Sequence, residues 1–481
     1  MKKVSYEAVI LACLFFVGIF FSCFRLTESP SVWYDEGWYF QTSANLLAHG
    51  IDGIQLSPGN VQHIAILTVG YPLIYPLALW FQLFGTTILA ARSLMVLFIM
   101  GLLLASYLFV RRILGPPIAL AALALLVTFP PLYGNGKSVL GEVPGMMYFA
   151  LFLLCFNVAR SSVDKKIFWY ILTGVCAGLC VSTKPVYLLL LPALAVGLFI
   201  EYRKSRLSKK ETIYLSCAIL VPMLVWAVVQ FKIGTSFSEV FVHYANPYHL
   251  NNIFQTILSN IKLLFSDVGT LYTMFLMGVW ALSIFFRLRA RKSLLVEETV
   301  SFIFSVLVVL AYLRTGGLYR YLFYAQIAAI MFFPDAALFL TEKWSLKFWK
   351  PHTRKIWIAC MIVLCAASLY QVMFSSWVAN FYSSHKTEFW QEYFSKLPAT
   401  SSVFFYDTPE VVPFDTNGNY YQFLLAPAGS TIGSEQLSVL RSGKADIVIA
   451  RTDSFTQNDG GIFDRYKEIQ ESYKYSILEP R

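Results

Sequence analysis

The stretch AARSLMVLFIMGLLLASYLFV (90–110), closed by Arg111 and Arg112, decides the architecture. It is apolar over close to the ~20 residues that a helix needs to cross a hydrocarbon layer of about 30 Å. Comparable runs recur at 8–24, 116–133, 143–159, 167–183, 185–201, 213–231, 270–286, 299–313, 320–340 and 356–374, giving about eleven spans. Backbone groups in lipid must pair within their own segment, so the spans are read as helices. Composition agrees: of 481 residues, 57% are hydrophobic and 14% charged, against about 25% charged in soluble domains. A soluble fold is excluded, and a mainly α, polytopic helical membrane protein is expected.

A net charge of +10 would hint at nucleic acid in a soluble chain, but here it is read loop by loop. With the N-terminus in the cytoplasm, alternate loops carry 21 Lys and Arg on that side and seven on the other. This three-to-one bias sets the orientation, and no nucleic-acid partner is expected. The first apolar run follows Lys2 and Lys3 but lacks a small-x-small cleavage site, so it reads as an anchor and not a secretion signal. An odd span count places the C-terminus outside. Residues 376–481 carry nine cations against thirteen acids, a net −4, whereas the first 375 carry +14. The chain therefore divides into a membrane domain, 1–375, and a small extracytoplasmic α/β domain, 376–481. In the latter, SVFFYD (402–407) and ADIVIA (445–450) read as strands and SEQLSVLRS (434–442) as a helix. The expected location is a plasma (inner) membrane. Eight cysteines all lie in or beside apolar runs, with no disulfide or thiolate-metal spacing.

Chemistry is expected in two long outer loops, 25–89 and 232–269. The first opens with SVWYDEGWYFQTSANLLAHG (31–50), which sets Asp35 and Glu36 side by side among aromatic residues. Neighbouring side chains diverge by about 100° on a helix, so one carboxylate can face a site while the other orients or satisfies backbone. A carboxylate partly desolvated at the lipid boundary suits general-base work. The plainer reading is an interfacial aromatic belt with two solvated acids. GYPLIYPLALWFQLFGTT (70–87) is apolar, holds two prolines and reads as a helix lying in the outer interface. Lys137 and Glu142 in KSVLGEVPG, Lys184 in STKP, and Arg314 and Arg320 in RTGGLYRY line the same side. Each cation alone is explained by snorkelling; together they would surround one anionic headgroup. His63, His243 and His249 are too scattered to argue for a metal. A divalent ion on Asp35 is conceivable, with no second matching acid.

In order and spacing, YDEGWYF, YPLIYPLALWFQLFG followed by AARS, KSVLGEVPGMMYFALF, STKPVYLLLLP and RYLFYAQIA resemble glycosyltransferase family 39 in its bacterial forms. Its relatives are the protein O-mannosyltransferases and the lipid A aminoarabinose transferases, all C-type membrane glycosyltransferases. The resemblance covers about residues 1–340. It implies the C-type fold and inverting transfer of a sugar from a polyprenyl phosphate donor to a glycan, lipid or protein hydroxyl on the outer face. By motif position, it implies that Asp35 is the catalytic acid residue with Glu36 its neighbour. Glu142 stands for a second acid, and Lys137 is near where an Arg is common. Lys184 matches a Thr-Lys turn, and Arg320 with Tyr321 a late Arg-Tyr pair. Asp35 would act as general base, and the cations would balance charge on the departing phosphate, Arg314 in support, with no cofactor required. One departure is at 70–72, where lipid A transferases carry a donor-phosphate lysine and this chain has Gly70 and Tyr71. The rivals are a transporter or flippase of lipid-linked substrates, for which repeat symmetry is missing, a polysaccharide polymerase or ligase, and a binding module on a passive anchor.

Overall fold

The computed structural model describes residues 6–65, 68–162, 164–204, 206–231, 252–344, 352–425, 431–457 and 461–481. Helix α1 (Tyr6–Cys23) leads to α2 (Tyr34–His49), an antiparallel hairpin of β1 (Gly53–Ser57) and β2 (Asn60–His63), and α3 (Tyr71–Phe84). Then follow α4 (Ile88–Leu114), α5 (Pro116–Val127), α6 (Pro130–Lys137), α7 (Glu142–Ser161) and α8 (Lys166–Thr183). The remaining long helices are Leu190–Arg203, Lys209–Gln230, Ile253–Ser266, Val268–Arg289, Val296–Tyr312, Phe323–Trp344 and Thr353–Tyr370.

Among the described residues nine helices are long and apolar enough to cross a membrane, and α5 with α6 makes a tenth. The predicted span at 299–313 is the 17-residue helix Val296–Tyr312. The α5–α6 pair bends by 60° because Pro130 and Pro131 follow an extended Phe129. Proline lacks the N–H that would continue the ladder and disfavours helical geometry in the residue before it. Helix α3, at 14 residues, is too short for a span, in keeping with the interfacial helix expected from its sequence. Most of the predicted second loop, including His243 and His249, lies outside the described residues.

The helix Phe323–Trp344 is the axis of the bundle: from Phe323 to Phe333 every side chain is buried. The peripheral helix Lys209–Gln230 instead exposes Leu220, Val221, Leu224 and Val228. An apolar rim around a tightly packed interior is what a lipid-facing bundle requires, and the chain is a multi-pass membrane protein.

After the last span, helix Lys386–Lys396 precedes a six-stranded sheet of order β5-β4-β3-β6-β8-β7. Its strands are β3 (Val403–Tyr406), β4 (Tyr420–Leu425), β5 (Thr431–Ile432), β6 (Ile447–Arg451), β7 (Tyr466–Ser472) and β8 (Tyr475–Pro480). β3 pairs parallel with β4 and β6, while β5, β7 and β8 pair antiparallel. The pleat turns successive residues to opposite faces. Phe405 joins the core shared with the membrane helices, and Phe404 joins a separate cluster with Phe423, Val448 and Leu478. The expected strands and the helix ahead of β6, Leu437–Ser442, are present. The sheet rests on α2 and the hairpin: a Cβ at Gly37 would lie 2.1 Å from the Pro409 carbonyl oxygen, so the backbones meet where no side chain fits.

Candidate functional site

Asp35 and Glu36 occupy the first turn of α2 and are separated by the rotation that a helix imposes. Glu36 is fully buried and held by Arg92 of α4, which donates Nε to Oε1 at 2.8 Å and Nη2 to Oε2 at 2.7 Å. The backbone N–H groups of Val139 and Trp33 also donate to this carboxylate, at 3.1 and 3.2 Å. Arg92 Nη1 in turn donates to the Leu26 and Pro30 carbonyls, both at 2.8 Å. Glu36 is thus sealed away from any reacting atom, which corrects its expected catalytic placement. Its lone pairs are spent on Arg92, Val139 and Trp33, which binds the 26–36 segment to α4 and to the turn between α6 and α7.

Asp35 points the other way and its side chain is 31% exposed. Its Oδ2 accepts from Arg320 Nη2 at 2.8 Å. The Arg320 guanidinium lies over the rings of Trp33 and Tyr321, at 5.5 and 5.4 Å. Its Nε and Nη1 are buried without a hydrogen-bond partner among the described residues. A buried unpaired donor costs about 1–3 kcal/mol, so these nitrogens are open to a further acceptor beside the Tyr321 hydroxyl, which also hydrogen-bonds the guanidinium.

Across from it, Lys184 at the end of α8 donates to Glu142 Oε1 at 2.7 Å, and both are buried. The Tyr187 hydroxyl donates to the Glu142 carbonyl at 2.5 Å. Glu142 Oε2, the Tyr324 hydroxyl and Ser182 Oγ are buried and lack partners among the described residues. Arg320, Tyr39 and Tyr324 all feel the charge of Glu142, and Tyr39 that of Asp35 as well. Burial, the first cause, and then the Asp35 carboxylate push the Tyr39 phenol well up, so it stays a neutral donor. The site therefore joins Asp35, Arg320, Glu142 and Lys184, with aromatic walls and several unused polar atoms.

Two expected members stand elsewhere. Lys137 does not meet Glu142: its Nζ donates to the carbonyls of Phe24 and Ser29 at 2.7 and 2.9 Å and is fully buried. It is tied to the chain leaving α1, because α6 ends underneath that turn. Arg314 is exposed and enters none of the ion pairs among the described residues. His63 is occupied on both nitrogens, Nδ1 by Asp52 and Nε2 by the Gln230 carbonyl at 3.1 Å. No cluster of three metal-ligating side chains occurs among the described residues. The partners that sequence reasoning left unassigned are Arg92 and Tyr324. Arg92 carried a signal, a charge inside an apolar helix.

Residues 72–229 match the family model described as dolichyl-phosphate-mannose-protein mannosyltransferase. No curated protein sequence matches the chain. The fold is that of C-type membrane glycosyltransferases. The structure of ArnT from Cupriavidus metallidurans in the apo state superposes with a TM-score of 0.65 at 13% identity, over 98% of this chain and 97% of that one. The same protein bound to undecaprenyl phosphate gives 0.64 at 11% identity, over 98% and 97%. The oligosaccharyltransferase AglB from Archaeoglobus fulgidus, in complex with an inhibitory peptide and a dolichol-phosphate, gives 0.59 at 10% identity, over 99% and 74%. The resemblance to glycosyltransferase family 39 is borne out in the 72–229 segment and in the fold.

Proposed function

We propose that the chain is a glycosyltransferase that takes its sugar from a polyprenyl phosphate and passes it, with inversion, to a hydroxyl of a glycan, lipid or protein. The observation that carries this reading is the Asp35–Arg320 contact, in which an accessible carboxylate shares a guanidinium whose buried Nε and Nη1 have no hydrogen-bond partner among the described residues. A planar cation with free donors suits a phosphate oxygen. The carboxylate beside it suits a hydroxyl proton.

In this mechanism Asp35 removes the acceptor proton as that oxygen attacks the anomeric carbon. The bond to the phosphate oxygen breaks, and Arg320 Nε and Nη1 take up the charge gathering there. The leaving phosphate is already anionic and needs no general acid. Glu142, oriented by Lys184, would align sugar hydroxyls through its free Oε2 as the ring gains oxocarbenium character. Glu36 and Arg92 act as positioning residues that aim Asp35. No metal or other cofactor enters these steps.

The 21-to-seven asymmetry of loop cations supports a plasma membrane orientation with the N-terminus inside and the C-terminal sheet outside. Membranes containing the chain, incubated with radiolabelled polyprenyl phosphate sugars, should move label into a lipid, glycan or protein fraction. Loss of label from the donor into free sugar alone would overturn transfer in favour of hydrolysis, and unreacted label carried across the bilayer would favour transport.

A further inference from the structure

A second cavity, of about 280 Å³, lies between α2 and the C-terminal sheet domain, lined by Phe40, Gln41, Ala44, Thr86, Asp415 and Tyr420 among others. Ala44 is nine residues after Asp35, about two and a half helical turns, so the cavity opens on the face of α2 opposite the transfer site. Its volume lies just below the roughly 300–1,000 Å³ of small-molecule sites.

Two buried oxygens in its wall have no donor among the described residues: Gln41 Oε1 and Asp415 Oδ2. Gln41 is 3% exposed, and its amide is oriented by Gln422. Gln55 Nε2 donates to the Gly418 and Tyr420 carbonyls, at 2.8 and 3.3 Å. Gln422 Nε2 turns toward the Gln55 main-chain carbonyl oxygen at 3.5 Å, leaving Gln422 Oε1 to accept from Gln41 Nε2 at 3.2 Å. The Gln41 carbonyl oxygen is what remains over. Asp415 accepts on Oδ1 from the Asn417 N–H at 3.0 Å, and the Gly418 N–H also faces the carboxylate; Oδ2 has no hydrogen-bond partner among the described residues, while burial pushes the carboxyl up.

Two acceptors without a donor among the described residues, beside the rings of Phe40 and Tyr420, suit a ligand rich in hydroxyl donors that also has an apolar face. That description fits a sugar ring: its O–H groups would satisfy both oxygens, and its C–H face would pack on the aromatic wall. We propose that this cavity is a carbohydrate-docking site, formed where the C-terminal domain seats on α2 and separate from the site that holds Asp35. The proposal rests on the cavity's own residues and does not depend on the transfer reaction.

The test is saturation-transfer NMR on the full chain in lipid nanodiscs, with glucose, galactose, mannose and N-acetylglucosamine as probes and glycerol as control. At least one hexose should be saturated where glycerol is not. Its apparent affinity should fall roughly 10-fold in Asp415→Ala and in Gln41→Leu, and vanish in Ala44→Phe, which fills the space without deleting a hydrogen bond. Asp35→Asn should leave it unchanged even though transfer is lost, so failure of this site and failure of the transferase reading are read separately. Saturation of no hexose, equal saturation of glycerol, displacement by calcium chloride, or loss in Asp35→Asn would each overturn the proposal. Should Ala44→Phe lower the unfolding midpoint sharply, the Asp415→Ala titration decides, and an unchanged affinity there overturns it.

Discussion

Asp35 and Glu36 are adjacent in the first turn of α2 and answer to different arginines: Asp35 to Arg320 at 2.8 Å, Glu36 to Arg92 at 2.7 Å. The helical rotation between neighbours buries one carboxylate and leaves the other accessible. The buried pair fixes the direction in which the accessible one points. Breaking either pair should therefore have a different signature.

Asp35→Asn removes the proposed base and keeps the shape, so transfer should drop by about 10²- to 10⁴-fold. Membrane insertion and the unfolding midpoint should stay at the native values. Near-native turnover in the folded variant would remove Asp35 from the mechanism.

Arg320→Ala should lower transfer by about 10²- to 10³-fold, the scale of losing a preorganised charge donor. Arg354 lies in the exposed first turn of the last span, beyond the far end of the span Tyr319–Trp344 that carries Arg320 at its start, and Arg354→Ala should stay within about twofold. Turnover with a saturating lipid-linked donor separates the two, and equal losses would contradict the headgroup assignment.

Arg92→Ala strands a fully buried carboxylate and should destabilise the protein by about 3–5 kcal/mol. A paired Glu36→Met, Arg92→Leu change should recover much of that stability, measured by unfolding in detergent. It should still leave transfer impaired, because α2 is no longer aimed. Full activity in the paired variant would show that Glu36 and Arg92 do not position Asp35.

His63 Nδ1 donates to Asp52 Oδ1 at 3.0 Å. The hydrogen bond to this carboxylate holds the imidazole above its usual range. With the folded value raised, protonation favours the folded state. That contribution is complete below about pH 6.5, the unfolded value, and fades as pH rises through the higher folded value. The fall in unfolding midpoint across this window should be shallower in His63→Gln than in the native chain.

The Tyr34 hydroxyl donates to Asp407 Oδ1 at 2.6 Å and lies 3.1 Å from the Leu425 carbonyl. Tyr34→Phe leaves these acceptors short of a donor, a loss of about 1–3 kcal/mol. Limited proteolysis should then cut the 376–481 region faster, with the membrane helices still protected. Unchanged proteolysis would mean that other contacts hold the sheet on α2.

The spans, the short helix α3 and the apolar strands β3 and β6 of the tail were legible in the residues. Each depends on a local rule, the length of an apolar run and the turn residues that bound it. That Asp35 and Glu36 must diverge was legible as well. Which of them would be sealed was not, because Arg92 stands 56 positions later and nothing local distinguishes the two acids. Lys137 shows the same limit from the other side. Close to Glu142 in sequence, it is drawn instead to carbonyls at the end of α1, and Lys184 arrives from α8 to take the carboxylate.

The sequence alone thus determined a multi-pass helical membrane protein, since hydropathy acts through the lipid and needs no distant partner. Only the tertiary structure decided which charges pair and which stay available. Buried ionic groups are satisfied by whatever the packing brings within hydrogen-bond reach, and that is set by the approach of distant helices. Arg320 meets Asp35 across 285 residues, and the Gln41–Asp415 cavity exists only where the sheet closes on α2.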